Sequence, residues 1–169
     1  MQSCSFVTRL EKIPLMQITY TYPASPQEIT KAYHFMDEQL DLGPKHPRSI
    51  AFYEDAYQKH PSLLMMANYQ DMIIGCAFAS KNQFKPEATE EVLIGELCVH
   101  PDFQGQHIGQ TLLTHVEQHA KSLGFSKLLL GAKAGIEPFY FKCGYVANLH
   151  IQIKNDHCLE ELKEVNTGY

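Results

Sequence analysis

Glu96 stands in "EEVLIGELCVH", within the apolar stretch from Val92 to Val99. A carboxylate taken out of water holds a proton more readily, as a base working near neutral pH must. Turned outward or ion-paired, the same residue would do no chemistry. A few residues on, "QGQHIG" from Gln104 to Gly109 leads into a helical pattern. A helix start leaves about four N–H groups without partners and carries roughly half a positive charge, so successive amides here could cradle a pyrophosphate. Two other readings stand beside this one. A short glycine turn needs no ligand, and a dinucleotide fingerprint needs a G-x-G-x-x-G spacing that Gly105 and Gly109 do not meet.

Local charge favours the anion. Between Gln104 and Tyr145, Lys121, Lys127, Lys133 and Lys142 stand against Glu117 and Glu137, in a chain of net charge −5. His115 and His119 lie four apart, but "HVEQH" is neither H-E-x-x-H nor H-x-x-E-H and no third ligand is evident, so no metal is expected. Cys98 has no acidifying cation beside it in the sequence, and a buried cysteine usually acts as a small apolar residue.

These residues need elements to position them. "EEVLIGELCV" reads as a buried strand ended by Pro101. Ile108, Leu112, Val116, Ala120 and Leu123 then mark one face of a helix that Gly124 stops. Upstream, "MQITYTY" alternates as a strand, and "SPQE" from Ser25 to Glu28 has the form of a capping box with proline at the first helical position. The helix so started should run to about Leu42. "RSIAFYEDAYQKH" predicts a second helix closed by Pro61, followed by a hairpin of Leu63 to Asn68 and Met72 to Ala79 with a bulge at Gly75. Downstream, "SKLLLGA" reads as a central strand, "EPFYFKCGY" as a short helix and "YVANLHIQI" as an alternating strand. The pattern of "LEELKEVNTGY" decides nothing.

Composition bounds the function. With 169 residues and 44% hydrophobic side chains, the chain is expected to be one domain with its own core. A net charge of −5 and a pI near 6.0 argue against a protein that coats nucleic acid or anionic membrane. Five scattered cysteines without a C-x-x-C pair favour reduced thiols and a cytoplasmic location. The first 15 residues hold no apolar run of signal-peptide length, and Asn68, Gln70 and Asp71 interrupt the most hydrophobic stretch, so no membrane segment is expected.

"ELCVHPDFQGQHIGQTLL" resembles the acetyl-CoA signature of the GNAT N-acetyltransferases: Gln or Arg, two residues, Gly, one residue, then Gly or Ala. Gln104 opens it, Gly105 and Gln106 follow, and Gly109 closes it, while His107 stands where the first motif glycine is expected. "EPFYFKCGY" is similar to the family's second signature, with Phe139-Tyr140 and Gly144-Tyr145 in its aromatic and glycine positions. Lys133 falls where many members carry asparagine. The element order is similar from about Met16 to Ile153.

The resemblance implies an α/β GNAT fold, a mixed central sheet of about six to seven strands flanked by about four helices. It would form a single domain over 1–169, with its core at about 16–153 and terminal extensions at 1–15 and 154–169. It implies acetyl-CoA as co-substrate, held by Leu97, Cys98, Val99, Gln104, Gly105, Gln106, His107, Ile108, Gly109, Gln110 and Tyr140. Transfer to a primary amine needs a neutral nucleophile, stabilisation of an oxyanion and a proton for the departing thiolate. An alkylamine with a pKa of about 10.4 needs a base, whereas a thiol near about 8.5 is already a fair leaving group. Glu96 is the candidate base, directly or through water, and Tyr140 matches the tyrosine that protonates the thiolate. The Leu97 amide would polarise the thioester carbonyl.

The acceptor would lie against the first two helices. There six carboxylates (Glu28, Asp37, Glu38, Asp41, Glu54, Asp55) outnumber Lys31, Lys45, Arg48 and Lys59, and Tyr33, His34, Phe35, Phe52 and Tyr53 add aromatic surface. A small-molecule or peptide amine would suit such a wall, and a solvated helix face would look the same. Family members are often homodimers. A non-catalytic coenzyme A-binding sensor on the same fold is the alternative function.

Overall fold

The alternating apolar runs between Leu64 and Val99 become three antiparallel strands at the centre of a seven-stranded sheet. The computed structural model describes residues 17–40, 50–59, 63–81, 87, 89–132, 135–146, 152–155 and 158–165. In chain order the elements are β1 (Thr19–Thr21), α1 (Pro26–Leu40), α2 (Ile50–Lys59), β2 (Leu64–Tyr69), β3 (Met72–Lys81), β4 (Glu91–Val99), α3 (Ile108–Ser122), β5 (Lys127–Gly131), α4 (Glu137–Lys142), β6 (Gln152–Asn155) and β7 (Cys158–Val165). A 3₁₀ turn, Pro101–Phe103, leads from β4 toward α3. The strands lie in the order β1-β2-β3-β4-β5-β7-β6. Among the described strands only the β4/β5 pair is parallel.

Each face of the sheet carries its own core. Ile108, Leu112, Val116 and Ala120 of α3 pack with Met65, Ala77 and Val92 on one face. On the other, Ile29, Ala32 and Met36 of α1 pack with Leu64, Cys76, Phe78 and Cys98. The start of α1 follows its sequence signal: Ser25 Oγ accepts the Glu28 N–H at 3.3 Å, and Glu28 Oε2 accepts the Ala24 N–H at 2.6 Å. The return bond of this capping box thus falls one residue before the cap.

Three elements differ from the sequence expectation. The strand expected from Tyr145 to Ile153 begins at Gln152, with 147–151 outside the described residues. The undecided C-terminal stretch forms β7, inserted antiparallel between β5 and β6. The bulge expected at Gly75 is one residue earlier: Ala67 pairs with Gly75 and Asn68 with Ile73, so Ile74 is the extra residue. The glycine answers to packing instead. A Cβ at position 75 would stand 3.0 Å from Leu112 Cδ1 and 3.3 Å from both the Cys98 carbonyl oxygen and Ile108 Cγ2.

A second bulge is on β4. Phe78 pairs with Glu96 and Ala79 with Ile94, which leaves Gly95 without an opposite residue. Side chains alternate along a strand, so one extra residue reverses which face the rest of the strand presents. Val92 and Ile94 face α3 before the bulge, and Leu97 and Val99 face it after. Glu96 and Cys98 are thereby turned to the α1 face.

Two backbone positions give stability predictions. Gly75→Ala should lower unfolding free energy by about 1–3 kcal/mol, because the Leu112 and Ile108 side chains and the Cys98 carbonyl must give way to the new methyl; urea titration would read it. His107 caps α3 at φ 61°, ψ 11°, the left-handed region, and it does so without a side-chain cap bond. Such a conformation costs a residue with a Cβ about 1–2 kcal/mol, partly offset by the entropy a glycine would lose on folding. His107→Gly should therefore stabilise by up to about 1 kcal/mol in the same titration.

Candidate active site

β4 pairs with β3 along most of its length and with β5 only over its first half among the described residues. Its first half, Glu91 to Ile94, pairs with Lys127 to Leu130 of β5, and among the described residues that ladder stops there. Among the described residues the second half keeps only β3 as partner, through Gly75 to Phe78. The His100 N–H donates to the Ile74 carbonyl at 2.8 Å, which fixes the alternation of an antiparallel ladder. By that alternation the backbone groups of Glu96 and Cys98 point at β3, and those of Leu97 and Val99 point at the open edge. The Val99 carbonyl is met on that edge by Gln104 Nε2 at 3.0 Å. Leu97 and Val99 thus present backbone groups to the open edge. Cys98 does not.

The turn after β4 brings α3's first amides beside this edge. His100 Nδ1 accepts the Asp102 N–H at 3.3 Å and the Gln104 N–H reaches the Pro101 carbonyl at 3.2 Å, closing the 3₁₀ turn. Gln104, Gly105, Gln106, His107 and Gln110 are exposed, whereas Ile108 is buried beneath them. The His107 ring lies 3.3 Å from Gln110 Oε1, and the His107 carbonyl is taken by the Thr111 N–H and hydroxyl, each at 3.0 Å. The left-handed φ of His107 explains why a glycine suits this position. The imidazole adds a side chain beside the helix mouth without occupying it as a cap.

Gly109 joins the two signatures. A Cβ there would stand 3.3 Å from Phe139 Cζ and 3.6 Å from Val99 Cγ2. The start of α3, the end of β4 and helix α4 therefore meet at one contact. α4 itself ends in a Schellman motif: the Tyr145 N–H bonds the Tyr140 carbonyl at 3.0 Å, the Gly144 N–H bonds that of Phe141 at 3.1 Å, and Gly144 has φ 89°. The side-chain contact that accompanies this motif is the Tyr140 ring against Tyr145, centroids 5.7 Å apart. Spacing in "YFKCGY" is thus the geometry of a helix end. Burial, with the Cys143 thiol adding, pushes the Tyr140 phenol up to about 12, so it stays protonated and able to donate throughout the neutral range.

Glu96 is 3% exposed and lies on the α1 face opposite Phe78. Tyr140 packs with the α3-side core. The two candidate catalytic side chains therefore flank β4 from opposite faces. Cys98 is also buried, and that burial pushes its thiol up to about 12; the Glu96 charge adds to the shift and a bond with the Cys76 backbone opposes it. Such a thiol is a poor nucleophile.

His115 and His119 face tyrosines of the β1 segment, with ring centroids 5.3 Å from Tyr20 and 4.7 Å from Tyr22 respectively. Among the described residues no group of three or more His, Cys, Asp or Glu could hold a metal, and no helix is long and apolar enough to cross a membrane. Asp41, Lys45, Arg48 and Lys133 lie outside the described residues, as do the side chains of Phe52 and Tyr53. Sequence reasoning did not single out Gly95, although a lone glycine inside a strand pattern is a bulge signal. The Phe139–Gly109 contact had no signal in the sequence.

No curated protein matched the sequence in a direct search. Among solved structures, yncA of Salmonella typhimurium with its cofactor acetyl-CoA superposes with a TM-score of 0.67 at 16% identity, over 88% of this chain and 91% of that one. Naa50 of Arabidopsis thaliana, in complex with the bisubstrate analogue CoA-Ac-MVNAL, gives 0.65 at 20% identity, over 90% and 99%. Ard1 from Thermoplasma volcanium gives 0.63 at 16%, over 87% and 94%. These likenesses establish the fold. Residues 27–145 match the profile of the acetyltransferase (GNAT) family, and with that span covering most of the chain, the protein belongs to the GNAT acetyltransferases.

Proposed function

We infer that the protein is an acetyl-CoA-dependent N-acetyltransferase that moves the acetyl group directly to a primary amine in a ternary complex. The observation that carries this reading is the juxtaposition of the open edge of β4 with the uncapped start of α3. A diphosphate anion needs successive amides at a helix mouth, and an extended amide-bearing arm needs a free strand edge. Acetyl-CoA would supply an activated acetyl thioester. The amides of Ile108, Gly109 and Gln110 would hold its pyrophosphate, with Gln104 to His107 forming the approach, and the Leu97 and Val99 backbone would pair with the arm. The Leu97 N–H is placed to polarise a carbonyl on that edge.

The two faces of β4 divide the proton work. On the α1 face Glu96 accepts the proton that the amine must lose, directly or through water, with the acidic and aromatic surface of α1 around the acceptor. On the α3 face Tyr140 donates a hydrogen bond to the departing sulfur. A peptide N-terminus belongs in the first acceptor screen because the Naa50 structure holds a bisubstrate analogue, and polyamines and aminoglycosides belong beside it. Scattered cysteines, two of them buried, suit a reducing cytoplasm.

Calorimetric titration of acetyl-CoA is the direct test of the cradle. Gln110→Glu puts a carboxylate in the first turn of α3, where it should stabilise the helix by about 0.3–1 kcal/mol yet weaken acetyl-CoA by on the order of tenfold through repulsion. Opposite signs in melting and binding would locate the anion. Unchanged affinity would place it elsewhere.

Turnover, read as coenzyme A release across the amine panel, tests the chemistry. Glu96→Gln should lower kcat by about 100-fold near neutrality and recover as pH rises toward the amine pKa. The Tyr140 phenol is pushed above its ordinary value, so its protonated form and the stability it contributes persist below pH 10 and are lost only as pH rises through about 12. The wild-type rate should accordingly rise to a plateau with no falling limb below pH 10. Tight acetyl-CoA binding with no turnover on any amine would favour the sensor instead.

A further inference from the structure

One polar contact in the interior beside the site has no part in the chemistry above. Glu117 of α3 is half-buried, and its Oε1 accepts the Tyr145 hydroxyl at 2.7 Å. Burial raises the carboxyl's pKa above its usual range while that hydrogen bond opposes the rise. Phenylalanine at 145 with an apolar residue at 117 would fill the same space without desolvating a carboxylate.

What Tyr145 touches supplies a reason. Its ring lies against Tyr140, and its N–H holds the Tyr140 carbonyl at 3.0 Å. α4 has six residues, too few for a helix to persist on its own. The rotation of α4, and with it the direction of the Tyr140 hydroxyl, is therefore set by its anchors. One is Phe139 on Gly109. A second is Tyr145, only 2% exposed, tied to Glu117, beside the packing of Tyr140 and Cys143 on the core.

We propose that Glu117 is a positioning residue for acetyl transfer: by holding the Tyr145 hydroxyl it fixes that ring behind Tyr140 and so aims the Tyr140 hydroxyl at the sulfur of coenzyme A. This rests on the role given to Tyr140 above. On this reading Glu117 acts through two aromatic rings, those of Tyr145 and Tyr140, and not by holding cofactor or acceptor itself.

The test reads the sulfur contact without needing an acceptor. Coenzyme A and desulfo-CoA are titrated calorimetrically at one pH, and the ratio of their Kd values reports what the sulfur contributes. Wild type should prefer coenzyme A by about fivefold, the worth of one hydrogen bond, and Tyr140→Phe should bring the ratio to about one. Glu117→Ala and Tyr145→Phe should each bring it below about twofold. Glu117→Gln, which keeps an acceptor for the Tyr145 hydroxyl, should restore it. A merely structural loss would weaken both ligands alike and leave the ratio at its wild-type value.

Should Glu117→Ala fail to fold by circular dichroism, Tyr145→Phe decides, since it preserves the ring. A wild-type ratio retained in Tyr145→Phe and Glu117→Ala but lost in Tyr140→Phe would overturn the positioning role and leave Tyr140's standing. A ratio of one in wild type, or one unmoved by Tyr140→Phe, would overturn the Tyr140 reading itself and this proposal with it.

Discussion

The bulge at Gly95 is the constraint on which the site depends. β4 is paired on both sides where it buries Val92 and Ile94, and on the proposed reading it also has to leave an edge open near its C-terminal end. A uniform strand cannot do both. With Gly95 unopposed, the strand twists and bends locally, and among the described residues the β5 ladder stops at Ile94. The same extra residue decides the chemistry of the faces. Without it Glu96 would follow Val92 and Ile94 into the α3 core; with it, Glu96 faces α1 and Leu97 takes the α3 side.

The two family signatures are both records of backbone geometry at helix ends. In the first, position 107 needs a left-handed residue to turn the chain from the 3₁₀ turn into α3, and this protein meets that need with histidine. In the second, Gly144 closes α4, and the tyrosines on either side of it are brought together by the hydrogen bonds of that closure. Gly109 then locks one signature to the other by admitting Phe139. A larger residue at 109 would disturb the α4 contact as well as any ligand at the helix mouth, so the effects of such a change could not be assigned to one cause.

Local signals were legible in the sequence wherever the physics is local. The α1 capping box, the α3 stripe from Ile108 to Ala120 and the stop at Gly124 depend on neighbours within a few residues, and each is where its spacing puts it. What the sequence did not convey were contacts between distant segments. The pairing of β7 with β5 is decided by the sheet edge available to it and not by the charged run "LEELKEV". Tyr20 and Tyr22 against His115 and His119 join residues far apart in the chain, so the histidine pair could be weighed as ligands but not seen as ring partners. Gly75 is instructive in the same way. A strand glycine signals either a bulge or a close approach, and only the position of Leu112 and Ile108 distinguishes them.

The pKa values of the site fit a reaction governed by placement more than by proton affinity. On the proposed reading, a tyrosine held near 12 lies well above a thiol at about 8.5, so full proton transfer from it to the thiolate is uphill. Donating a hydrogen bond is not. The thiolate is stable enough to depart with that bond alone, and the proton released by the amine can reach it later through solvent. A donor of this kind gains little from a lower pKa and much from direction, because hydrogen bonds weaken steeply off axis. That is the physical sense in which a short helix, fixed by a Schellman closure at one end and by Phe139 against Gly109 at the other, is suited to carry it.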